Sequence, residues 1–522
     1  MPNSSEIILK DSTVQENSRH SFQVMACTLA SRLLGIIKAR ALTAAFGAGA
    51  VADVINVAYF FPNSLRKLFA EGAADAAFIP GFSTMDSKKD RSRLLSLIVS
   101  FQAGLFLLLV GITYLFRYDI FGFISDFKGE SLRLGGNLLP AFMLFLAFLS
   151  IATVFWGLLK CDRKFLLASL SPLFCSIAII LCLTFLSDTL GAFSMALGTV
   201  IGSLLQMAYC IILTVRFGYS FHLSLAFRDP DFLKVLKAWL IIILSSAITI
   251  LSQQYSQYLA SSLAEGSATA YANGIIFFSV PYGIIFNGIV AVAFTELSDA
   301  HSHGQADRFS FHLSYAINGL VACLVPSALV LGFLSKEVIA CILQTGRFTY
   351  ADTQLTSGVL IQLMAGIVIV ALKACMYRTM LAKREVNKTL SLTIIEALLD
   401  IFLSWLLVGK YHSVEVLPIA GNLSAFVMLM IYIGLLKNDM QGKRILASGL
   451  KVILANLPLL FVLLLYAHQD FTWFQSGSTG RNLLYLCLCM LLLGILVLFS
   501  YHIAGIPVID FLKAGGRRHQ EK

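Results

Sequence analysis

The sequence predicts an all-α polytopic membrane protein of fourteen transmembrane helices, organised as two six-helix lobes plus a C-terminal helix pair. Three observations predict it. Of 522 residues, 58% are apolar and only 13% are charged, against roughly a quarter charged in an ordinary soluble domain; the mean hydropathy is +0.81. Apolar runs long enough to cross about 30 Å of hydrocarbon recur from end to end. Lys and Arg alternate between rich and poor loops, the pattern that sets orientation in a membrane. Together these exclude a soluble globular enzyme, a disordered chain and a nucleic-acid-binding arm.

Eleven stretches carry no Asp, Glu, Lys or Arg over at least 18 residues: 94–116, 134–159, 165–187, 189–215, 238–264, 266–295, 309–335, 353–372, 416–436, 452–469 and 482–509. Three more are apolar but interrupted by charge, at 24–47, 54–80 and 389–409. All read as helices, because a membrane β-barrel would show alternating segments of about ten residues instead. With fourteen spans both termini lie on one side. The loops on that side carry 27 Lys+Arg, the opposite loops 7, and the first two spans 5. That asymmetry places both termini in the cytoplasm, so the net charge of +10 is mostly an orientation signal.

The resulting organisation is a cytoplasmic N-terminus at 1–23, a first lobe at 24–215, a cytoplasmic linker at 216–237, a second lobe at 238–436, a helix pair at 437–509 and a cytoplasmic tail at 510–522. The polar N-terminus lacks a small-residue cleavage site after a short apolar core, so no removable signal peptide is expected. The linker mixes Phe221, Leu223, Leu225, Phe227, Phe232, Leu233 and Val235 with charges, as an amphipathic segment on the membrane surface does. No residue-level repeat is visible between the two lobes. The ten cysteines are scattered with no CxxC or His/Cys metal spacing, so no metal, disulfide framework or cofactor is expected. No Walker A, GxSxG or HExxH motif occurs, which leaves ATP hydrolysis, serine hydrolysis and zinc proteolysis without machinery.

Charged side chains within a span cost several kcal/mol unless they face water or find partners, which makes them functional candidates. Arg32, Lys38 and Arg40 lie in the first span; Asp53 opens the second, which carries Pro62, Asn63, Arg66, Lys67 and Glu71 in its middle. At about 100° per residue, Asn63, Arg66, Lys67 and Glu71 share a sector of about 140°. Lys67 and Glu71 stand at the i, i+4 spacing of an ion pair, and Pro62 bends the helix just before them. The simpler reading is that these are paired or snorkelling structural charges. Yet cations outnumber carboxylates in these two spans, and a cavity they line attracts phosphate or another anion, Arg as a bidentate fork and Lys as a point charge. Glu396 and Asp400, at i, i+4 in the eleventh span, are candidates for coupling to an ion; otherwise one of them is protonated or interfacial.

The stretches SRLLGIIKARALTAAFGAGAVAD and FPNSLRKLFAEGAADAAFIP, with LQTGRFT at Leu343–Thr349 and the basic run Lys373–Thr389, resemble the MurJ/MviN family. Its members are the lipid II flippases of bacterial peptidoglycan synthesis, within the superfamily that includes the multidrug and toxin extruders. The resemblance implies two six-helix lobes about a cationic cavity and two further helices at 437–509 forming a groove for a polyprenyl tail. It implies alternating-access transport of lipid II in a bacterial inner membrane, contact with membrane lipids and the cell-wall synthesis machinery, and no part for nucleic acid. It places substrate-binding cations on Arg32, Lys38 and Arg66, with Asn63 beside Arg66, and gating, rim or salt-bridging acids on Asp53 and on Glu71 of the FAEGA motif. One departure stands out. The family carries Arg followed by Glu in span eight, where this chain has Asn273 and Gly274, so more of the anion binding falls on the first two spans. Rival readings are an exporter of another lipid-linked oligosaccharide or of a drug, and a membrane enzyme acting on polyprenyl phosphate. A drug exporter calls for acidic cavity residues, and the enzyme for clustered carboxylates or metal ligands in cytoplasmic loops.

Overall fold

The computed structural model describes residues 30–71, 77–467 and 479–506. Those residues are helical, with turns and irregular connections and no β-strand. Among them eleven helices are long and apolar enough to cross a membrane, or twelve with one bent pair. The expected spans 24–47 and 54–80 run into residues outside the described set, so the structure establishes eleven or twelve spans where the sequence predicts fourteen. The chain divides into two compact units, Met1–Ser262 and Leu263–Lys522.

In the first unit α1 (30–46) leads into α2 (Ala50–Arg66), which continues as a π-helical turn, Lys67–Glu71, ahead of α3 (Ile79–Ser83). There follow α4 (Lys88–Leu115), α5 (Arg117–Ile124), α6 (Gly129–Cys161), α7 (Phe165–Leu190), α8 (Phe193–Arg216) and α9 (Pro230–Ser261). Local chemistry sets several boundaries. Ser87 caps α4 by accepting from the Asp90 amide, and Asp229 caps α9 by accepting from the Asp231 and Phe232 amides with Pro230 at the first helical position. Small residues let helices meet backbone to backbone: a Cβ at Gly202 on α8 would stand 2.6 Å from the Cys175 Cα on α7.

The linker is extended and strapped to α4. Amides of Ser220, His222 and Ser224 donate to the hydroxyls of Ser92, Ser96 and Ser100 at 3.2, 3.1 and 2.9 Å. Four residues of helix advance about 6 Å and two residues of extended chain about 6.6 Å, so every second amide finds the next serine. At its start the Tyr219 hydroxyl donates to Asp162, which also accepts from Arg91. Burial raises the pKa of the Tyr219 hydroxyl, so it stays a donor. The expected amphipathic character survives at its far end, where Leu223 and Leu225 are 80% and 76% exposed, but helix begins only at Pro230. The linear reading puts α9 at the head of the second lobe; in the structure it lies in the first unit. The Trp239 indole donates to the Phe69 carbonyl within the π turn, and Val235 fills the space against Gly81.

The second unit holds α10 (Ser267–Ser302), α11 (Ala306–Phe333), α12 (Ser335–Leu343), α13 (Tyr350–Ala382), α14 (Val386–Tyr411) and α15 (Val416–Leu436). Its helices repeat those of the first in order and length. Helices α4 to α8 have 28, 8, 33, 26 and 24 residues; α11 to α15 have 28, 9, 33, 26 and 21. Pro62 and Pro281 interrupt α2 and α10. Arg163 and Arg384, both at φ 60°, end α6 and α13 in the same left-handed turn. The repeat is one of elements, not of side chains.

The chain closes with α16 (Gly442–Ala455), α17 (Leu457–Ala467) and α18 (Thr479–Ala504). Helices α16 and α17 meet at a 40° bend, because Pro458 has no N–H to continue the ladder. At the bend Asn456 donates to the Tyr501 hydroxyl, which donates to the Ala322 carbonyl of α11, both at 2.7 Å. Outside this polar tie α18 is mostly exposed apolar surface, from Leu483 to Ile503.

Candidate functional site

The cations of the first unit sit on α1 and on the C-terminal half of α2. Arg32, Lys38 and Arg40 are half-buried on α1. Lys38 points its ammonium over the ring of Tyr59 on α2, 4.8 Å from the centroid. Tyr59 in turn packs against Phe142 and Phe145 of α6, at ring separations of 5.5 and 5.7 Å. Arg66 ends α2 and is half-buried, with Asn63 one turn before it, also half-buried. Lys38 and Arg66 both act electrostatically on the Cys175 thiol of α7. Two of the predicted cations, from different helices, thus lie within electrostatic range of the same thiol.

Lys67 is exposed and donates to the Gln253 side-chain oxygen of α9 at 3.5 Å. It stands in the π turn, where one extra residue per turn displaces the side chains after Arg66 from the α-helical positions used to group them. The side chain of Glu71 lies outside the described residues, and with it the expected Lys67–Glu71 pair. Asp53 is 3% exposed in the first turn of α2, where a carboxylate meets the positive end of the helix dipole.

In the second unit the two acids of α14 have different surroundings. Glu396 is paired with Lys373 of α13 at 2.5 Å, both side chains mostly buried. Asp400 is half-buried, facing Gly421 of α15. Lys373, counted from sequence among the loop cations, is thus a residue of the helix interior. Where the resemblance leads one to expect a span-eight cation, a Cβ on Gly274 would stand 2.7 Å from the Val359 side chain of α13, and Asn273 is 2% exposed. Among the described residues no group of His, Cys, Asp and Glu is arranged to hold a metal ion.

Sequence reasoning missed Tyr59, Gln253 and Lys373. Gln253 had a signal, the run SQQYSQ at 252–257 within an otherwise apolar span. Tyr59 had none, being one of 17 tyrosines in a chain that also holds 40 phenylalanines.

Long apolar helices in two repeating units, with half-buried cations on α1 and α2, define a polytopic membrane transporter. The fold is shared with a multidrug resistance MATE family transporter in its inward-facing conformation (TM-score 0.63, 16% identity, 80% of this chain and 98% of that one). A solved structure of lipid II flippase MurJ in an inward closed conformation matches more fully (TM-score 0.77, 24% identity, 92% and 97%). In sequence, the chain is 27% identical over 490 residues to the probable lipid II flippase MurJ of Borreliella burgdorferi, covering 92% of this chain and 96% of that protein. It is 26% identical over 466 residues to the lipid II flippase MurJ of Thermosipho africanus, covering 88% and 93%. The family model described as lipid II flippase MurJ matches residues 42–493. The chain belongs to the MurJ family of lipid II flippases.

Proposed function

We propose that this protein carries lipid II, the undecaprenyl-pyrophosphate-linked peptidoglycan precursor, from the cytoplasmic to the outer leaflet of a bacterial inner membrane. Family membership supports the substrate, and the half-buried cations Arg32, Lys38 and Arg66 on α1 and α2, with Lys38 seated over the Tyr59 ring of α2, support the place where its diphosphate binds. A diphosphate brings several negative charges into a low-dielectric interior, where a cation's attraction is several-fold stronger than in water. Arg66 and Arg32 supply planar forks for its oxygens, and Lys38 and Lys67 supply point charges, with Arg40 further along α1. Asn63 adds an amide donor beside Arg66.

The cycle we propose is alternating access across fourteen spans with both termini cytoplasmic, the orientation given by 27 basic residues on one side against 7 on the other. The helix pair at 437–509 lies along the polyprenyl tail. Membrane potential or an ion gradient drives transport, with Glu396 and Asp400 of α14 as the coupling candidates. The cell-wall synthesis machinery supplies lipid II and removes it. Transport of a membrane-anchored diphosphate needs no bond made or broken, so none of these residues is assigned a catalytic step.

Translocation of lipid II in proteoliposomes tests the site. Arg66→Ala and Arg32→Ala, reconstituted at wild-type amounts, are expected to lose transport by at least about tenfold, the factor that follows from one charge-assisted bond of about 1.5–3 kcal/mol. Full transport by either variant removes that residue from the proposed clamp.

A further inference from the structure

We infer that Tyr59 is a positioning residue for the anion site: its ring holds Lys38 in place without neutralising it. The inference rests on the lipid II reading and names a residue that the reading does not. An ammonium within a span needs a partner. A carboxylate would provide one but would cancel the positive charge that an incoming diphosphate has to find. An aromatic face attracts the cation through its quadrupole and carries no net charge, so Lys38 remains fully available to an anion.

Three observations carry this. Lys38 Nζ is 4.8 Å from the Tyr59 centroid, and among the described residues no carboxylate pairs with it. The ring is a fixed platform: Phe142 meets it edge-on at 73° and Phe145 at 39°, and these two are 0% and 2% exposed. Tyr59, Asn63 and Arg66 stand at i, i+4 and i+7 on α2 and share one face, so a lysine seated on Tyr59 is brought to the side from which Arg66 projects. Electrostatic action of both Lys38 and Arg66 on Cys175 agrees with that placement.

The test is the half-saturating concentration of lipid II for translocation by full-length protein in proteoliposomes. Tyr59→Leu is expected to raise it about three- to tenfold, the range that follows from a partly desolvated cation–π contact. Tyr59→Phe, which keeps the ring, rescues it to near the wild-type value. In a Lys38→Met background, Tyr59→Leu adds nothing, since the lysine through which it acts is gone. A half-saturation unchanged by Tyr59→Leu overturns the inference. So does an equal loss in the wild-type and Lys38→Met backgrounds, which marks Tyr59 as packing alone. Wild-type protein that does not translocate lipid II overturns the functional reading and this inference together, whereas the other two results leave that reading intact.

Discussion

Residues in this protein earn their roles through the partners they find across helices. Lys38, Lys67 and Lys373 look alike as interruptions of apolar sequence. The first rests on an aromatic ring, the second on a glutamine oxygen and the third on a carboxylate. The ring and the glutamine oxygen carry no net charge, whereas in the Lys373–Glu396 pair the charges compensate each other. Gly274 makes the same point by exclusion. Restoring the family's span-eight cation as Gly274→Arg is expected to destabilise the protein by about 1–3 kcal/mol through overpacking against Val359. Thermal unfolding of the purified variant in detergent measures it, and a melting temperature equal to wild type would show that α10 and α13 separate freely at this point.

At the scale of elements, the charge-free runs located the helices well. The run 134–159 became Gly129–Cys161, 165–187 became Phe165–Leu190 and 416–436 became Val416–Leu436. The first two overrun the apolar stretch because their polar ends emerge from hydrocarbon while the backbone ladder continues. Two elements were illegible. The π turn at Lys67–Glu71 depends on an outside donor, the Trp239 indole, reaching the Phe69 carbonyl, and no local signal encodes it. The strap at 219–226 depends on serines more than a hundred residues away. Replacing Ser92, Ser96 and Ser100 together by Ala removes three acceptors, each worth roughly 0.5–1.5 kcal/mol. The expected result is faster amide exchange at Ser220, His222 and Ser224, with the membrane helices unchanged; hydrogen–deuterium exchange with mass spectrometry reads both, and unchanged exchange at those amides would mean the serines do not hold the strap.

For the whole molecule, the two units share a plan and divide its chemistry. Helices α4–α8 and α11–α15 repeat in order and length, yet Cys175 of α7 lies near two cations while α14 carries Glu396 and Asp400. Repetition of elements without repetition of side chains lets one scaffold place cations in one unit and two acids of α14 in the other. The orientation proposed from loop charge has its own measurement. A single cysteine introduced as His222→Cys in an otherwise cysteine-free protein is expected to react with a membrane-impermeant thiol reagent only in inverted vesicles. Labelling in intact cells with a permeabilised outer membrane would reverse the topology.

The sequence by itself determined that this is a helical membrane protein and where eleven of its long apolar helices lie. A bilayer makes those properties local: each helix satisfies its own backbone hydrogen bonds, so composition over about twenty residues decides whether a segment spans. Family membership was legible for the same reason, from motifs contiguous along α1 and α2. Tertiary structure alone decided that Lys38 sits on Tyr59, that Glu396 is already paired, that α9 lies in the first unit and that Gly274 leaves no room for a cation. Those outcomes depend on side chains from separate helices meeting within a few ångströms, and spacing along one helix carries no record of what the next helix brings.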